Sequence, residues 1–461
     1  MDFIIVGAGC AGLVMAIQLR RRLPNSKFMV LERASSLGGT WYHNSYPRCA
    51  VDMPCVTYSM SFDPSQTYRQ WFPSQGEILQ YIHRLASKDN INQHLQFNVE
   101  VVDAKWSDKT KIRTVIYRDT RTLELCEQQT KLLISAIGQL VEPSYGDIQG
   151  LGHFEGDVLH CNRWDDHVKL KGKNVVVVGN GASAAQVVPS IVQRVRSLTQ
   201  LIRTPQGYSE RKNPTLSRFT VWMLKNMPFF LRAWRHWNFL KLESRFTQFR
   251  NTPQGEDIRR KNMQRCQEHT KATAPKQYWD LLIPDYQASC KRVIGDFGYM
   301  ASLNAPNLTL MRDPVVQCVQ AGVVTQSGKH YAADVIRWKD DITYHYQTTA
   351  ISGFPNFFML YGPNSAPPNM SAIYCFENYV DLILKLVAPV LDGRVASVEA
   401  DSQAEADFVE RLRTTLDEGV WSSCKQRSSD PKRNVYMYPC SNTTMFRNTH
   451  SQEEKAWIYH K

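Results

Sequence analysis

The sequence predicts an α/β fold of two parallel-sheet units, each opening on strand, glycine-rich turn and helix, with a helical insertion set into the second. Three observations predict it. The apolar run FIIV at 3–6 leads straight into GAGCAG at 7–12, and the run VVVV at 175–178 leads into GNGASA at 179–184. Residues 210–285 then change to an aromatic, basic composition read as helices. A chain of 461 residues also exceeds what one hydrophobic core usually supports.

Composition narrows the function classes. Hydrophobic residues at 43% and charged residues at 21% are globular proportions, which argues against disorder over the bulk of the chain. The net charge of +12 is spread along the sequence, so nucleic acid is not expected as a partner, and dinucleotide phosphates account for part of the excess. Eleven cysteines, an odd number without regular spacing or a C-x-x-C pair, predict neither a disulfide framework, a dithiol centre nor a metal site. They point to a reducing compartment. The chain opens directly on an apolar strand without a basic leader, so a cytoplasmic protein is expected. In FTVWMLKNMPFFLRAWRHWNFLKL the residues Lys225, Arg232, Arg235 and His236 interrupt what would otherwise be a membrane span. The expectation there is a helical lobe walling a cavity, with contact to a membrane surface as the weaker reading.

In the first unit Gly7 permits the tight turn, Gly9 lets the backbone approach a pyrophosphate, and Gly12 lets helix pack on strand. The run FMVLE ends at Glu32, 20 residues past Gly12, where a carboxylate suits ribose hydroxyls. An amphipathic helix (EILQYIHRL) and strands LQFNVEVVDA, KIRTVIY and KLLISA follow. The second unit repeats the logic. Gly179, Gly181 and Ala184 fill the three small-residue positions, and Ser183 can donate to phosphate. Its next strand, LTQLIRTP, presents Arg203 and Thr204. A cation where the first unit has Glu32 suits a 2′-phosphate, hence NADPH over NADH. Both units are therefore Rossmann-like.

Between them residues 154–165 read FEGDVLHCNRWD, with Phe154, Gly156, His160, Trp164 and Asp165 at characteristic spacing. This linker resembles the signature of flavin-dependent Baeyer–Villiger monooxygenases, class B flavoprotein monooxygenases of the fungal type. The segment GGTWYHNSYPRCAVD, with Gly38, Gly39, Trp41, Tyr46, Pro47 and Asp52, resembles a second motif of that family, departing from it at Arg48. So do the turn Ala136-Ile137-Gly138, the pair Lys291-Arg292, Gly298-Tyr299, Asn304 to Asn307, and ISGFPNFFMLYGPN at 351–364. The likeness runs from residue 3 to about 445, with one departure: after ADVIR at 333–337 an expected turn and connection are missing.

The resemblance implies FAD on the first unit, with Gly7, Gly9, Gly12, Glu32, Arg33, Gly39, Thr40, Trp41, Asp52 and Tyr58 around it. It implies NADPH on the second, with Gly179, Gly181, Ser183, Ala184, Gln186, Arg203, Thr204 and Lys291. The expected domains are 1–150 with 348–461 for FAD, 151–209 with 286–347 for NADPH, and 210–285 as insert. By the same likeness Arg292, held by Asp52, is the active-site cation, and the linker couples cofactor binding to domain closure. The implied reaction takes hydride from NADPH and one oxygen atom from O2 to turn a ketone into an ester or lactone, with secondary metabolism as the usual setting. Two alternatives remain at this point: a flavin enzyme oxygenating nitrogen or sulfur, and a cofactor-binding remnant impaired by the gap after Arg337.

Overall fold

The computed structural model describes residues 1–146, 148–338, 348–424, 437–451 and 454–461. Two five-stranded parallel sheets organise them. The first runs, edge to edge, Phe357–Met359, Leu132–Ser135, Phe3–Val6, Phe28–Glu32 and Leu95–Phe97. Its central strand is apolar throughout because both faces are covered. Phe3 and Ile5 face helix α1 (Cys10–Arg22), while Ile4 faces an antiparallel ribbon of Val99–Ser107, Ile112–Asp119 and Leu125–Thr130 through Val99, Val115 and Tyr117. The ribbon's third strand ends in four consecutive polar residues, Glu127 to Thr130, and escaped the sequence reading.

The second sheet runs Leu308–Met311, Ser197–Leu201, Asn174–Val178, Val335–Trp338 and Asp157–His160. Val175 and Val177 pack towards helix α2 (Ala182–Ile191), and Val176 packs with Phe154, Leu201 and Ile336 on the opposite face, the period of two that a strand dictates. Within the linker 154–165, Asp157–His160 is an edge strand of this sheet. Asp157 to His160 pair in register with Val335 to Trp338. Gly156 is fixed by close approach, since a Cβ there would lie 2.3 Å from the Asp334 carbonyl oxygen and 2.5 Å from the Phe154 ring.

The insert contains α3 (Arg218–Asn226), α4 (Pro228–Glu243) and the helix Pro253–Thr273. Pro228 and Pro253 sit in the first turn, where a missing N–H costs nothing, and Ser217 and Thr252 cap α3 and the third helix. The chain returns through Phe357–Met359 to α5 (Ala372–Leu391), which packs on α1. Trp457–His460 form a strand paired antiparallel with Ser397–Ala400. The departure after Arg337 falls on 339–347, outside the described residues.

Nine of the eleven cysteines are free, and the expectation of no disulfide framework meets one exception. Cys290 and Cys424, 134 residues apart, form a disulfide with Cα atoms 5.5 Å apart. The bridge packs on Phe246, Phe249 and Trp421, and tertiary proximity of this kind leaves no mark in cysteine spacing. Such a bond is at home in oxidising surroundings, so the cysteine argument for a reducing compartment falls. No helix among the described residues is long and apolar enough to cross a membrane.

Candidate active site

The site grows from the two glycine loops. Gly7 has φ of +105°, and a Cβ on it would lie 2.5 Å from the Ala136 carbonyl oxygen. A Cβ on Gly12 would lie 1.9 Å from the Gly7 carbonyl oxygen, so only hydrogen fits between loop and helix. Gly39, at φ +53°, lies so near Gly9 that a Cβ would come within 2.8 Å of its Cα. The loop carrying Thr40 and Trp41 thus rests directly on the first glycine turn.

Both loops fit a dinucleotide phosphate on an observation of their own. Helices beginning at Gln75, Arg218, Pro253, Ala372, Ser402 and Asn442 are each capped by a Ser, Thr or Asp side chain. By contrast α1 and α2 start after Gly9 and Gly181 with no capping side chain and no acid in the first turn. Their first N–H groups and the positive end of each helix dipole are left for an anion.

Glu32 ends its strand buried, its Oε2 accepting from the Ala8 N–H at 2.7 Å and its Oε1 from the Ala34 N–H at 2.8 Å. The carboxylate braces the glycine loop and keeps further lone pairs for ribose hydroxyls. Its neighbour Arg33 is exposed and ion-paired with Glu142 and Glu100. The Trp41 Nε1 donates to Tyr58 Oη at 2.9 Å, and burial pushes the Tyr58 phenol well above its usual pKa. In the second unit Arg203 is exposed, Thr204 and Ser183 are half-buried, and Gly179 has φ of +95°. Gln186 on α2 reaches across to the first unit, accepting from Tyr46 Oη at 2.9 Å and donating to the Ala50 carbonyl at 3.0 Å.

That crossing brings the Tyr46–Asp52 loop against the loop carrying Lys291 and Arg292. Arg292 Nε lies 3.4 Å from Asp52 Oδ2, and an Arg292 Nη contacts the Met53 sulfur at 3.8 Å. At 3.4 Å this is an ion pair, longer than a charge-assisted hydrogen bond. The Arg292 side chain is 60% exposed and that of Asp52 36%, so the pair orients the guanidinium and adds little stability. Lys291 lies over the Tyr286 ring, 5.1 Å from its centroid. Cys290, next in the chain, ties this loop to Cys424.

Sequence reasoning missed Arg211. It is partly buried, stacked over Phe72 and packed beneath Gly295, where a Cβ would meet its Cγ at 2.7 Å. Burial, then Arg245, presses its pKa down, with Asp52 opposing and Arg292 adding to the effect. A second guanidinium therefore lies within the field of the Asp52–Arg292 pair. A lone Arg in a basic stretch gives no sequence signal for this.

The linker's residues divide. Phe154 is core, and His160 is fully buried with its Nδ1 at Asn162 Oδ1 and its ring against Tyr145. Asn162 donates to the Val141 carbonyl at 2.9 Å. Arg163 reaches His43 Nδ1 at 3.0 Å. Burial, then Arg163, lowers the His43 pKa to about 4, so a neutral imidazole accepts that bond. Trp164 and Asp165 bond only locally among the contacts seen, to Asp166 and to the His167 N–H.

Comparison with known proteins agrees with the fold of two parallel-sheet units. The family model described as pyridine nucleotide-disulphide oxidoreductase matches residues 4–228. The FAD-binding monooxygenase ktnD of Aspergillus niger is 32% identical over 434 residues, covering 85% of this chain and 69% of the relative. A Baeyer–Villiger monooxygenase of Streptomyces coelicolor is 30% identical over 481 residues, covering 96% and 90%. The solved structure of an oxidized steroid monooxygenase bound to NADP shares the fold at a TM-score of 0.83 and 23% identity, covering 100% of this chain and 99% of that one. The chain belongs to the family of FAD-binding monooxygenases that includes the Baeyer–Villiger monooxygenases.

Proposed function

We propose that this protein is an NADPH-dependent flavin monooxygenase that converts a ketone, O2, NADPH and a proton into an ester or lactone, water and NADP+. The observation that carries the reading is the Asp52–Arg292 ion pair at 3.4 Å, which joins the glycine-loop side of the first unit to the Lys291-Arg292 loop of the second. FAD would be held by Gly7 to Gly12, Glu32, Gly39, Thr40 and Trp41, and NADPH by Gly179 to Ala184, Gln186, Arg203, Thr204 and Lys291. When bound, the two supply hydride transfer and oxygen activation.

The chain's own residues bind, orient and stabilise charge. The Arg292 guanidinium stays protonated at any working pH and faces negative charge developing on oxygen during insertion. Asp52 aims it, and Arg211 adds a second, less solvated positive charge. Gln186 and Arg163 each bond across to the first unit, Gln186 to the Ala50 carbonyl and Arg163 to His43. The proposed domains follow the sheets: 1–150 with 348–461 around the first, 151–209 with 286–347 around the second, and 210–285 as the insert. The curated relatives favour carbon-adjacent insertion over nitrogen or sulfur oxygenation, and over a remnant without activity.

The test is Arg292→Ala assayed with NADPH and a panel of cyclic and linear ketones. NADPH oxidation is expected to continue while ester formation falls by about 10² or more, the effect of removing a donor aimed at developing charge. Full ester formation by the variant refutes the role of Arg292. Oxidation of a thioether but of no ketone by the unaltered enzyme favours the sulfur reading.

A further inference from the structure

The insert has a face that the reaction does not use. From residue 211 to 242 the sequence contains Arg211, Lys212, Arg218, Lys225, Arg232, Arg235 and Lys241, and no Asp or Glu. Helix α4 carries two apolar stripes at helical spacing. The inner one, Leu231, Trp234 and Leu242 with the buried Asn238 between them, is packed; Trp234 lies 5.6 Å from the Trp71 ring. On the same side Arg235 donates to the Val56 carbonyl at 2.6 Å and to Ser59 Oγ at 2.8 Å. The outer stripe, Phe229, Ala233, Trp237 and Leu240, points the other way, with Phe229 84% and Trp237 66% exposed. On α3, Phe219 and Trp222 stack on each other and are 67% and 54% exposed. Trp222 and Trp237 are the exposed tryptophans among the described residues.

Cations stand around these rings. Arg218, Lys225, Arg232 and Lys241 are exposed and make no ion pair among the described residues. A protein partner's interface core is depleted of charge, above all of lysine, whereas Trp, Phe and Leu interleaved with Lys and Arg suit the boundary between lipid headgroups and acyl chains. A stretch of chain with seven cations and no acid in its sequence is also the complement of an anionic leaflet.

We infer that the outer face of α3 and α4 docks the enzyme on an anionic phospholipid bilayer, with Phe219, Trp222, Phe229 and Trp237 entering the headgroup boundary. Because Arg235 grips the Val56–Ser59 loop, which follows Asp52 in the chain, docking fixes the candidate site relative to the bilayer. The proposal does not depend on which oxygenation the enzyme performs.

The test uses the FAD-loaded full chain with vesicles of phosphatidylcholine alone or mixed with phosphatidylserine. The protein is expected to sediment with the mixed vesicles, its tryptophan emission quenched by brominated lipid, and to be released by high salt. Phe229→Ser combined with Trp237→Ser should weaken binding about tenfold or more while flavin content and NADPH oxidation stay unchanged. Lys225→Glu with Arg232→Glu keeps the aromatic face and should remove the preference for the serine lipid. Failure of the unaltered enzyme to bind either vesicle overturns the proposal, as does equal binding by all three proteins. A dimer in light scattering that the Phe229→Ser, Trp237→Ser protein splits would overturn it too, assigning the face to a second copy.

Discussion

The two nucleotide loops share a plan and differ in how they are locked. In the first, Gly12 sits where a methyl group would strike the Gly7 carbonyl oxygen at 1.9 Å, and the buried Glu32 carboxylate ties the loop through the Ala8 N–H. In the second, Ala184 stands at the position of Gly12, so a methyl is accommodated. The equivalent tie there is a neutral amide: Asn180 Nδ2 donates to the Thr204 carbonyl at 3.1 Å, and Tyr208 Oη donates to the Asn180 carbonyl. Hydrogen bonds to a charged group contribute about 1.5–3 kcal/mol against about 0.5–1.5 kcal/mol for neutral ones. A rigid, charge-braced loop suits a cofactor that stays, and a softer one with an exposed cation suits a cofactor that comes and goes.

The comparison breaks most visibly at its tightest point. Gly12→Ala should yield protein without flavin absorbance, because the added carbon and the Gly7 carbonyl cannot occupy the same space. The mirror change, Ala184→Gly, should keep flavin and lower helix stability by about 1 kcal/mol. Visible spectra of the purified proteins, followed by thermal melting, read both outcomes. Equal flavin loss in the two variants would remove the asymmetry.

Next in size is the bridge between Cys290 and Cys424. It fastens the Lys291-Arg292 loop to the C-terminal segment across 134 residues. Chain entropy sets an upper value of about 5 kcal/mol for a closure of that length. Cys424→Ser should therefore lower the melting temperature by several degrees. It should also raise the share of NADPH oxidised without ester formation, because Arg292 loses the anchor one residue away.

This bridge also marks where sequence reading stops. The glycine loops, Glu32 and the apolar strands were legible because each is a local pattern with a local cause: a turn, a close approach, a sheet covered on both faces. Asp52 and Arg292 were legible only through family likeness, since nothing within either segment says that the chain folds back across 240 positions to bring them together. Cys290–Cys424, Arg211 within the field of Asp52, and the pairing of Asp157–His160 with Val335–Trp338 had no such help. Each is decided by which surfaces meet in three dimensions, and each was misread or missed. The strand Trp457–His460 was missed for a related reason, because its partner Ser397–Ala400 lies far back in the chain, before the helix Ser402–Asp417, and Ile458 and Tyr459 are exposed.

A smaller effect sharpens the contrast in the first unit. Glu32→Gln keeps the shape of the side chain but removes its charge, so the bonds to the Ala8 and Ala34 N–H groups become neutral or are lost. About 1–3 kcal/mol is at stake. Flavin should elute from the variant during gel filtration under conditions where the unaltered enzyme retains it, with NADPH affinity of the reloaded enzyme unchanged.

The smallest change tests the second unit. Arg203 is exposed at the end of its strand, so its attraction for a 2′-phosphate acts partly through water and is worth about 1 kcal/mol, five- to tenfold in affinity. Arg203→Ser should raise the KM for NADPH by about that factor and leave the KM for NADH where it was, because NADH has no phosphate to lose. Flavin content should not move, since Glu32 and the first glycine loop lie on the other sheet. Added salt should shrink the difference between the variant and the unaltered enzyme, as it screens an exposed charge and leaves the buried carboxylate of Glu32 largely untouched. A KM for NADPH that stays constant would mean that Thr204, Lys291 or a backbone donor reads the phosphate, and the cation at the strand end would then be an ordinary surface residue.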